Sequence, residues 1–208
     1  MLDGEVGYIT DPDEVREHLE AVVVDALGAL RDRLDRTGNP LAAGIPELKL
    51  PFPRIPFGTA EAWLGREGAG RDFGTEDEKA IGERAEREFG SPFYFLTDYP
   101  TVVKAGTFYA WRRDDDPTKT GYFDLDYRGL EIASGGRREH RLDRLLENMR
   151  SAGVDPAQFG GYLEAFRFGM PPHGGWGLGV DRLVQALAVL PNIREGRLFP
   201  RDRYRLEP

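Results

Sequence analysis

The chain has 208 residues, a formal net charge of −8 at pH 7 and no cysteine. The missing thiol excludes disulfides, thiolate metal sites and a cysteine nucleophile, and the acidic balance argues against a broad nucleic-acid-binding face, which needs clustered Lys and Arg. No stretch approaches the ~18 apolar residues of a membrane span and the acidic start does not read as a signal peptide, so one cytoplasmic domain over residues 1–208 is the expectation.

A short N-terminal strand gives way at Asp11-Pro12-Asp13-Glu14 to a helix start, with an Asp cap, Pro at the first helical position and Glu three residues after the cap. Val15, Leu19, Val22, Val23, Ala26, Leu27, Leu30 and Leu34 then recur at helical spacing as far as Gly38, predicting a core-packing helix. Pro40, Pro46, Pro51, Pro53 and Pro56 rule out a long helix over 39–58. Residues 52–55 read as a short extended piece, Thr59 as the cap of a helix through Trp63 and Leu64, and 65–74 as a loop. Thr75-Glu76-Asp77-Glu78 reads as a second capping box, opening a polar helix that ends near Gly90. Strands are predicted at 93–96, 108–112, 122–127 and 131–133. The acidic tract 114–119 lacks the Gly and terminal Glu of an EF-hand loop and reads as a hairpin turn. Helices over 139–150 and from Asp155-Pro156 to about 168 follow. The set predicts an α+β fold, an antiparallel sheet with flanking helices packed on one side.

The most informative stretch is Pro171-Pro172-His173-Gly174-Gly175-Trp176-Gly177-Leu178-Gly179-Val180-Asp181-Arg182-Leu183, followed by an apolar run to Leu190 that reads as a helix. Glycines admit a flat or charged ligand close to the backbone, and an arginine opening the next helix supplies a planar cationic fork suited to phosphate or to stacking on a ring. By residue type alone, that points to a nucleotide or phosphate. The spelling resembles motif 3 of the class II aminoacyl-tRNA synthetases, in the aspartyl/asparaginyl wording.

Other segments extend the resemblance in the right order. They are Phe93-Tyr94-Phe95-Leu96-Thr97-Asp98-Tyr99-Pro100; Phe123-Asp124-Leu125 with Gly129-Leu130-Glu131-Ile132-Ala133-Ser134-Gly135-Gly136-Arg137-Arg138-Glu139-His140-Arg141; and Pro191-Asn192-Ile193-Arg194-Glu195 with Phe199-Pro200-Arg201-Asp202. Leu2-Asp3-Gly4-Glu5-Val6-Gly7-Tyr8-Ile9 resembles the end of motif 2. The resemblance implies a catalytic-domain-like fold truncated on its N-terminal side. The anticodon-binding barrel, motif 1, the recognition loop and the first half of motif 2 with its ATP-binding arginine have no counterpart.

The ligands so implied are ATP, Mg²⁺ and an acidic amino acid, aspartate before asparagine. Activating a carboxylic acid with ATP means holding the acid, neutralising the phosphates and aligning the α-phosphorus with the attacking carboxylate. Glu131 and Ser134 are read as spaced so that a carboxylate and a hydroxyl both face a hard cation, and they match the family's metal- and ATP-binding pair; the plain alternative for Glu131 is a strand-edge carboxylate. Arg138 corresponds to the arginine that clamps the aspartate side chain, a task for a bidentate guanidinium, and Arg137 is read as its surface neighbour. Asp3 matches an aspartate that accepts the α-ammonium, so Asp3, Ser134 and Arg138 form the amino-acid set. Arg182 is expected on adenine or the γ-phosphate, with Gly177, Gly179, Val180 and Asp181 beside it. Glu131 and Arg182 are the residues expected to act in catalysis.

His173 is read as shaping the turn into the glycine run, and Asp98 as holding the turn before Pro100. Arg137, Arg138, His140, Arg141 and Arg144 form either a local basic patch or a solvated helix face balanced by Glu139 and Asp143. Three functions stay open: an aspartyl-type ligase, as a homodimer or completed by a second synthetase-like chain; a non-catalytic paralogue that binds or regulates; or a remnant of a longer gene. tRNA is one candidate acceptor, which the net charge does not favour.

Overall fold

The computed structural model describes residues 1–207. Six strands form one sheet in the order β1-β6-β5-β4-β3-β2: β1 Leu2–Gly7, β2 Arg54–Pro56, β3 Phe93–Thr97, β4 Tyr122–Tyr127, β5 Leu130–Arg137 and β6 His173–Leu178. Neighbours run antiparallel except β2, which pairs parallel with β3. The exception follows from the connection. Helices α2 (Phe57–Trp63) and α3 (Thr75–Phe89) lie between the two strands, the long crossover that parallel neighbours require. β4 and β5 instead form a two-residue hairpin, with Arg128 and Gly129 at φ 50° and 76°, the left-handed pair such a turn needs.

Alternation along the strands gives the sheet two unlike faces. Phe93, Phe95, Phe123, Leu125, Trp176 and Leu178 meet Val15, Leu19, Val23 and Leu27 of α1 (Asp13–Arg36) in the main core. Each large side chain buried this way contributes about 1.5–3 kcal/mol. Leu183 of α6 (Val180–Leu187) joins the same core. On the other face Tyr94, Leu96 and Tyr99 pack with Ile55, Phe57, Ile81 and Ala85 of β2, α2 and α3. Helices therefore cover both faces, not the one expected, although Asp3 and Glu5 of β1 stay exposed. A satellite cluster joins Leu145 and Met149 of α4 (Leu142–Ser151) to Leu163 and Phe166 of α5 (Gly160–Arg167).

Several boundaries move for identifiable reasons. The predicted box at α1 forms: Asp11 Oδ1 accepts from the Asp13 N–H and Glu14 Oε1 from the Asp11 N–H, both at 2.8 Å. α2 starts two residues before Thr59, at Phe57, whose ring is fully buried. α3 is capped one residue earlier than expected, at Gly74, whose N–H donates to Asp77 Oδ2 at 3.0 Å, so the Thr75–Glu78 box gives way to a one-sided bond between Gly74 and Asp77. α4 begins at Leu142 because Glu139 turns inward and accepts from the Arg141 N–H and guanidinium. Residues 156–159 form a 3₁₀ turn before α5, with Asp155 Oδ1 accepting from the Ala157 N–H.

The strand expected at 108–112 does not form. Ala110 bridges to Arg138 on one side and Arg112 to Thr120 on the other, so no ladder of consecutive residues builds up. Among the described residues no helix is long and apolar enough to cross a membrane.

Candidate functional site

On the face opposite α1, the register lays side chains out in rows. One row runs Asp3, Gly177, Ser134, Asp124 across β1, β6, β5 and β4. The next runs Glu5, Gly175, Gly136, Tyr122. Three glycines thus floor the middle of the face, with carboxylates on β1 to one side and Ser134, Asp124 and Tyr122 to the other. The floor is already in use at one point: a Cβ at Gly175 would lie 2.2 Å from the Glu5 carboxylate carbon.

Glu131 and Ser134 are three residues apart, a spacing that puts side chains on opposite faces of a regular strand. A bulge reverses this. Ala133 pairs with Leu125 but Glu131 pairs with Asp126, leaving Ile132 unpaired. Ile132 and Ala133 both turn into the main core, and Glu131 and Ser134 come to the same face.

At this end Arg182, in the first turn of α6, donates from Nη1 to the Glu131 carbonyl oxygen at 2.8 Å and lies 3.4 Å from its carboxylate. The Gly179 N–H donates to the Ile132 carbonyl oxygen at 2.8 Å, which ties the start of α6 to the bulge. Asp181 pairs with Arg197, and Val180 is partly exposed beside it. A cavity of about 620 Å³ opens here between Glu78, Lys79, Glu131, Arg182 and Asn192.

At the other end Arg138 donates to Glu5 Oε1 at 3.0 Å and lies over the Tyr109 ring at 5.3 Å. Glu5, Phe108, Tyr109, Arg138, Tyr162 and His173 bound a second cavity of about 370 Å³. His173 Nδ1 is 2.9 Å from the Pro171 carbonyl oxygen, in keeping with a turn-shaping role. Asp98, at φ 54°, accepts from Arg113 Nη1 at 2.7 Å and so holds its turn as expected. Arg137 is half-buried, and its guanidinium packs on the Trp111 ring at 4.3 Å. The basic run is not a free patch, because Arg141 is committed to Glu139 and Asp114. A third cavity, of about 410 Å³, contains none of the residues expected to bind ligand, and its Arg16, Arg54 and Arg113 are paired with Asp13 and Asp98.

Four side chains on the site face escape a reading of the sequence. Asp124 is buried beside Ser134; Tyr99 donates to its Oδ2 at 2.5 Å, and its Oδ1 has no partner. Burial pushes its carboxyl up to about 7, against the pull of Lys104. Asp126, buried beneath Glu131, accepts from Tyr94 at 2.9 Å, and burial beside Asp124 drives it well above the ordinary carboxylate range. Lys104 reaches this face from the turn after Pro100, and Glu5 from β1. Only the alternation of Asp124 and Asp126 along a predicted strand hinted at them.

Among the described residues no three acidic or imidazole side chains converge on one point. The oxygen donors for a hard cation are the Glu131 carboxylate and the Ser134 hydroxyl, with the unpartnered Asp124 Oδ1 on the same face. This set fits Mg²⁺, which keeps several waters and takes one or two carboxylates plus substrate phosphates.

The family model described as tRNA synthetases class II (D, K and N) matches residues 1–203. An aspartate–tRNA(Asp) ligase of Thermococcus kodakarensis is 44% identical over 100% of this chain and 48% of its own length. An aspartate–tRNA(Asp/Asn) ligase of Thermus thermophilus is 41% identical over 100% of this chain and 49% of its own. The chain spans about half the length of these curated relatives. Among solved structures, an aspartyl tRNA synthetase from Entamoeba histolytica aligns with a TM-score of 0.87 at 31% identity, over 99% of this chain and 44% of that one. An asparaginyl-tRNA synthetase from Pyrococcus horikoshii complexed with asparaginyl-adenylate aligns at 0.84 and 30% identity, over 99% and 48%.

Proposed function

The chain belongs to the class II tRNA synthetases of the D, K and N group, and from that premise we propose that its site face binds ATP with Mg²⁺ and an acidic amino acid, aspartate first, for aminoacyl-adenylate formation. The observation that carries this reading is the glycine floor with Arg138 at one end and the Glu131–Arg182 pair at the other. A short ligand lying on that floor meets a carboxylate clamp at one end and phosphate-binding groups at the other.

In this reading Arg138 exchanges Glu5 for the side-chain carboxylate of aspartate, and Asp3 accepts its α-ammonium. Arg182 gives up the Glu131 carboxylate for the nucleotide while keeping its carbonyl contact, with Gly177, Gly179, Val180 and Asp181 lining its approach. The α-carboxylate attacks the α-phosphorus, the bond to the bridging oxygen breaks, and pyrophosphate leaves. Glu131 and Ser134 would hold Mg²⁺, which supplies charge neutralisation on the phosphates. Residues 1–208 act as one catalytic-domain-like unit in this proposal, with a homodimer or a complementing synthetase-like chain as its assembly and tRNA as one candidate acceptor.

The experiment is aspartate-dependent ATP–pyrophosphate exchange by the purified chain, with asparagine and no amino acid as controls. Exchange with aspartate that is lost in Glu131→Ala and Arg138→Ala supports the reading. A folded chain that binds ATP and aspartate without exchange would point to a complementing chain or to a binding or regulatory role.

A further inference from the structure

Lys104 occupies an unusual place. It follows the turn at Pro100, outside every regular element, yet its side chain is only 13% exposed. Its ammonium donates to Asp72 Oδ2 at 2.7 Å and lies 3.7 Å from Asp124 Oδ2. Two rings close the cage, Tyr99 with its centroid at 4.3 Å and Tyr122 at 4.6 Å. A cation held between two aromatic faces and two carboxylates in a poorly solvated site is strongly localised.

Three walls of that cage lie on or beside the row containing Ser134. Asp124 is the register partner of Ser134, and Tyr122 stands one row further along the same face. Tyr99 donates to the Asp124 oxygen that faces Lys104, so ring, hydroxyl and ammonium act on a single carboxylate. On the far side Asp72 belongs to the 64–74 loop, which the same ammonium fastens to the site face. Among the described residues no other cation lies within 4.0 Å of the Asp72 or the Asp124 carboxylate; Arg66 reaches only the Asp72 carbonyl oxygen.

We infer that Lys104 is a positioning residue for the divalent cation: with Tyr99 it fixes Asp124 against Ser134 so that the donors on this face keep one arrangement when Mg²⁺ arrives with the triphosphate. The inference rests on the Mg²⁺ reading of Glu131 and Ser134 and adds a group that touches neither metal nor nucleotide. Removing one partner of a buried charge pair leaves the other uncompensated, so Asp124 loses its fixed position when Lys104 is removed. Groups that orient metal ligands cost about 10–100-fold in metal affinity when deleted.

The test reads metal binding directly. Mn²⁺ affinity in the presence of ATP, without amino acid, is measured by electron paramagnetic resonance at pH 8 for the whole chain, with circular dichroism to establish folding. Lys104→Met should weaken Mn²⁺ about tenfold, and Lys104→Gln, which keeps a donor in the cage without the charge, should do the same. Either variant serves if the other does not fold. In an Asp124→Asn background the Lys104 change should cost less than about twofold, because its route to the metal is gone. Asp72→Asn, which cuts only the loop tie, should leave Mn²⁺ affinity within about twofold.

Unchanged affinity in folded Lys104 variants, an equal loss in both backgrounds, or no effect of Asp124→Asn overturns the inference. Glu131→Ala separates this failure from failure of the site itself. If Glu131→Ala binds Mn²⁺ as the wild type does, the Mg²⁺ reading is wrong. If Glu131→Ala loses binding and the Lys104 variants do not, only the role of Lys104 is wrong.

Discussion

Arg182 grips Glu131 twice, through the backbone carbonyl oxygen at 2.8 Å and the carboxylate at 3.4 Å. The carbonyl contact positions the guanidinium whether or not the carboxylate is free. The carboxylate contact is one that a metal or a phosphate can displace. Both side chains are more than a third exposed, so the pair adds little to stability. Arg182→Ala should therefore lower exchange by at least about 100-fold, typical for loss of one preorganised charge-stabilising group, while shifting unfolding free energy by less than about 1 kcal/mol. Exchange rates and urea melts on the same preparation check both. A large loss of stability would mean that the pair is structural.

Arg138 serves the other end of the floor and should separate from Arg182 kinetically. It is only 19% exposed, lies over Tyr109 and reaches Glu5 through a single nitrogen. Lysine carries the charge but not the fork. Arg138→Lys should raise the aspartate KM by about 10–100-fold, the 1.4–2.7 kcal/mol of one charge-assisted hydrogen bond, and leave the ATP KM within about twofold. Equal effects on both KM values would place Arg138 outside the amino-acid end.

Gly82 of α3 and Gly129 of the β4–β5 turn are pressed together. A Cβ on Gly82 would lie 2.4 Å from the Gly129 backbone nitrogen, and one on Gly129 would lie 2.4 Å from the Glu78 carbonyl oxygen. Both obstacles are backbone, which cannot swing aside. Gly82→Ala should cost about 1–3 kcal/mol as overpacking. Gly129→Ala should cost more, because its φ of +76° is strained for any Cβ. Both lie in the same interface between α3 and the β4–β5 turn, so the double variant should fall short of the sum in denaturant melts. Full additivity would show that helix and turn yield independently.

The same contact shows what the sequence could and could not convey. The motif segments named the strands and helices around the site, because each of them spells a local backbone. They did not disclose that Ile132 bulges, although only the bulge brings Glu131 and Ser134 to one face. A bulge depends on which residue lies opposite, and opposition is a property of two strands. The parallel pairing of β2 was hidden for the same reason. Residues 108–112 carry strand-like residues but split their bonds between two neighbours. Lys104 and Asp72 are 32 residues apart and meet only because the fold brings two loops together. Arg138, Arg182 and Asp3 were legible as residue types at motif positions; the Glu5 carboxylate lying against Gly175 was not.

Asp126 gives the fold a pH dependence of definite sign. Burial raises its folded value well above that of an unfolded aspartate, with Asp124 adding repulsion and the Tyr94 hydroxyl opposing. The native state therefore binds more protons than the unfolded state from about pH 4, the unfolded aspartate value, upwards. With more protons bound in the native state, stability falls as pH rises through that window, by at most about 1.4 kcal/mol per pH unit for one group. Asp124, raised to about 7, acts in the same direction between about pH 4 and 7 and adds no slope above. Asp126→Asn removes the titration and keeps a side-chain oxygen to accept from Tyr94. Its stability should match the wild type near pH 4 and exceed it at pH 8, with the gap widening steadily between. Chemical denaturation at intervals across that range measures the gap. A variant less stable than the wild type at pH 8 would mean that the carboxylate is satisfied in its ionised form, and that Tyr94 outweighs burial.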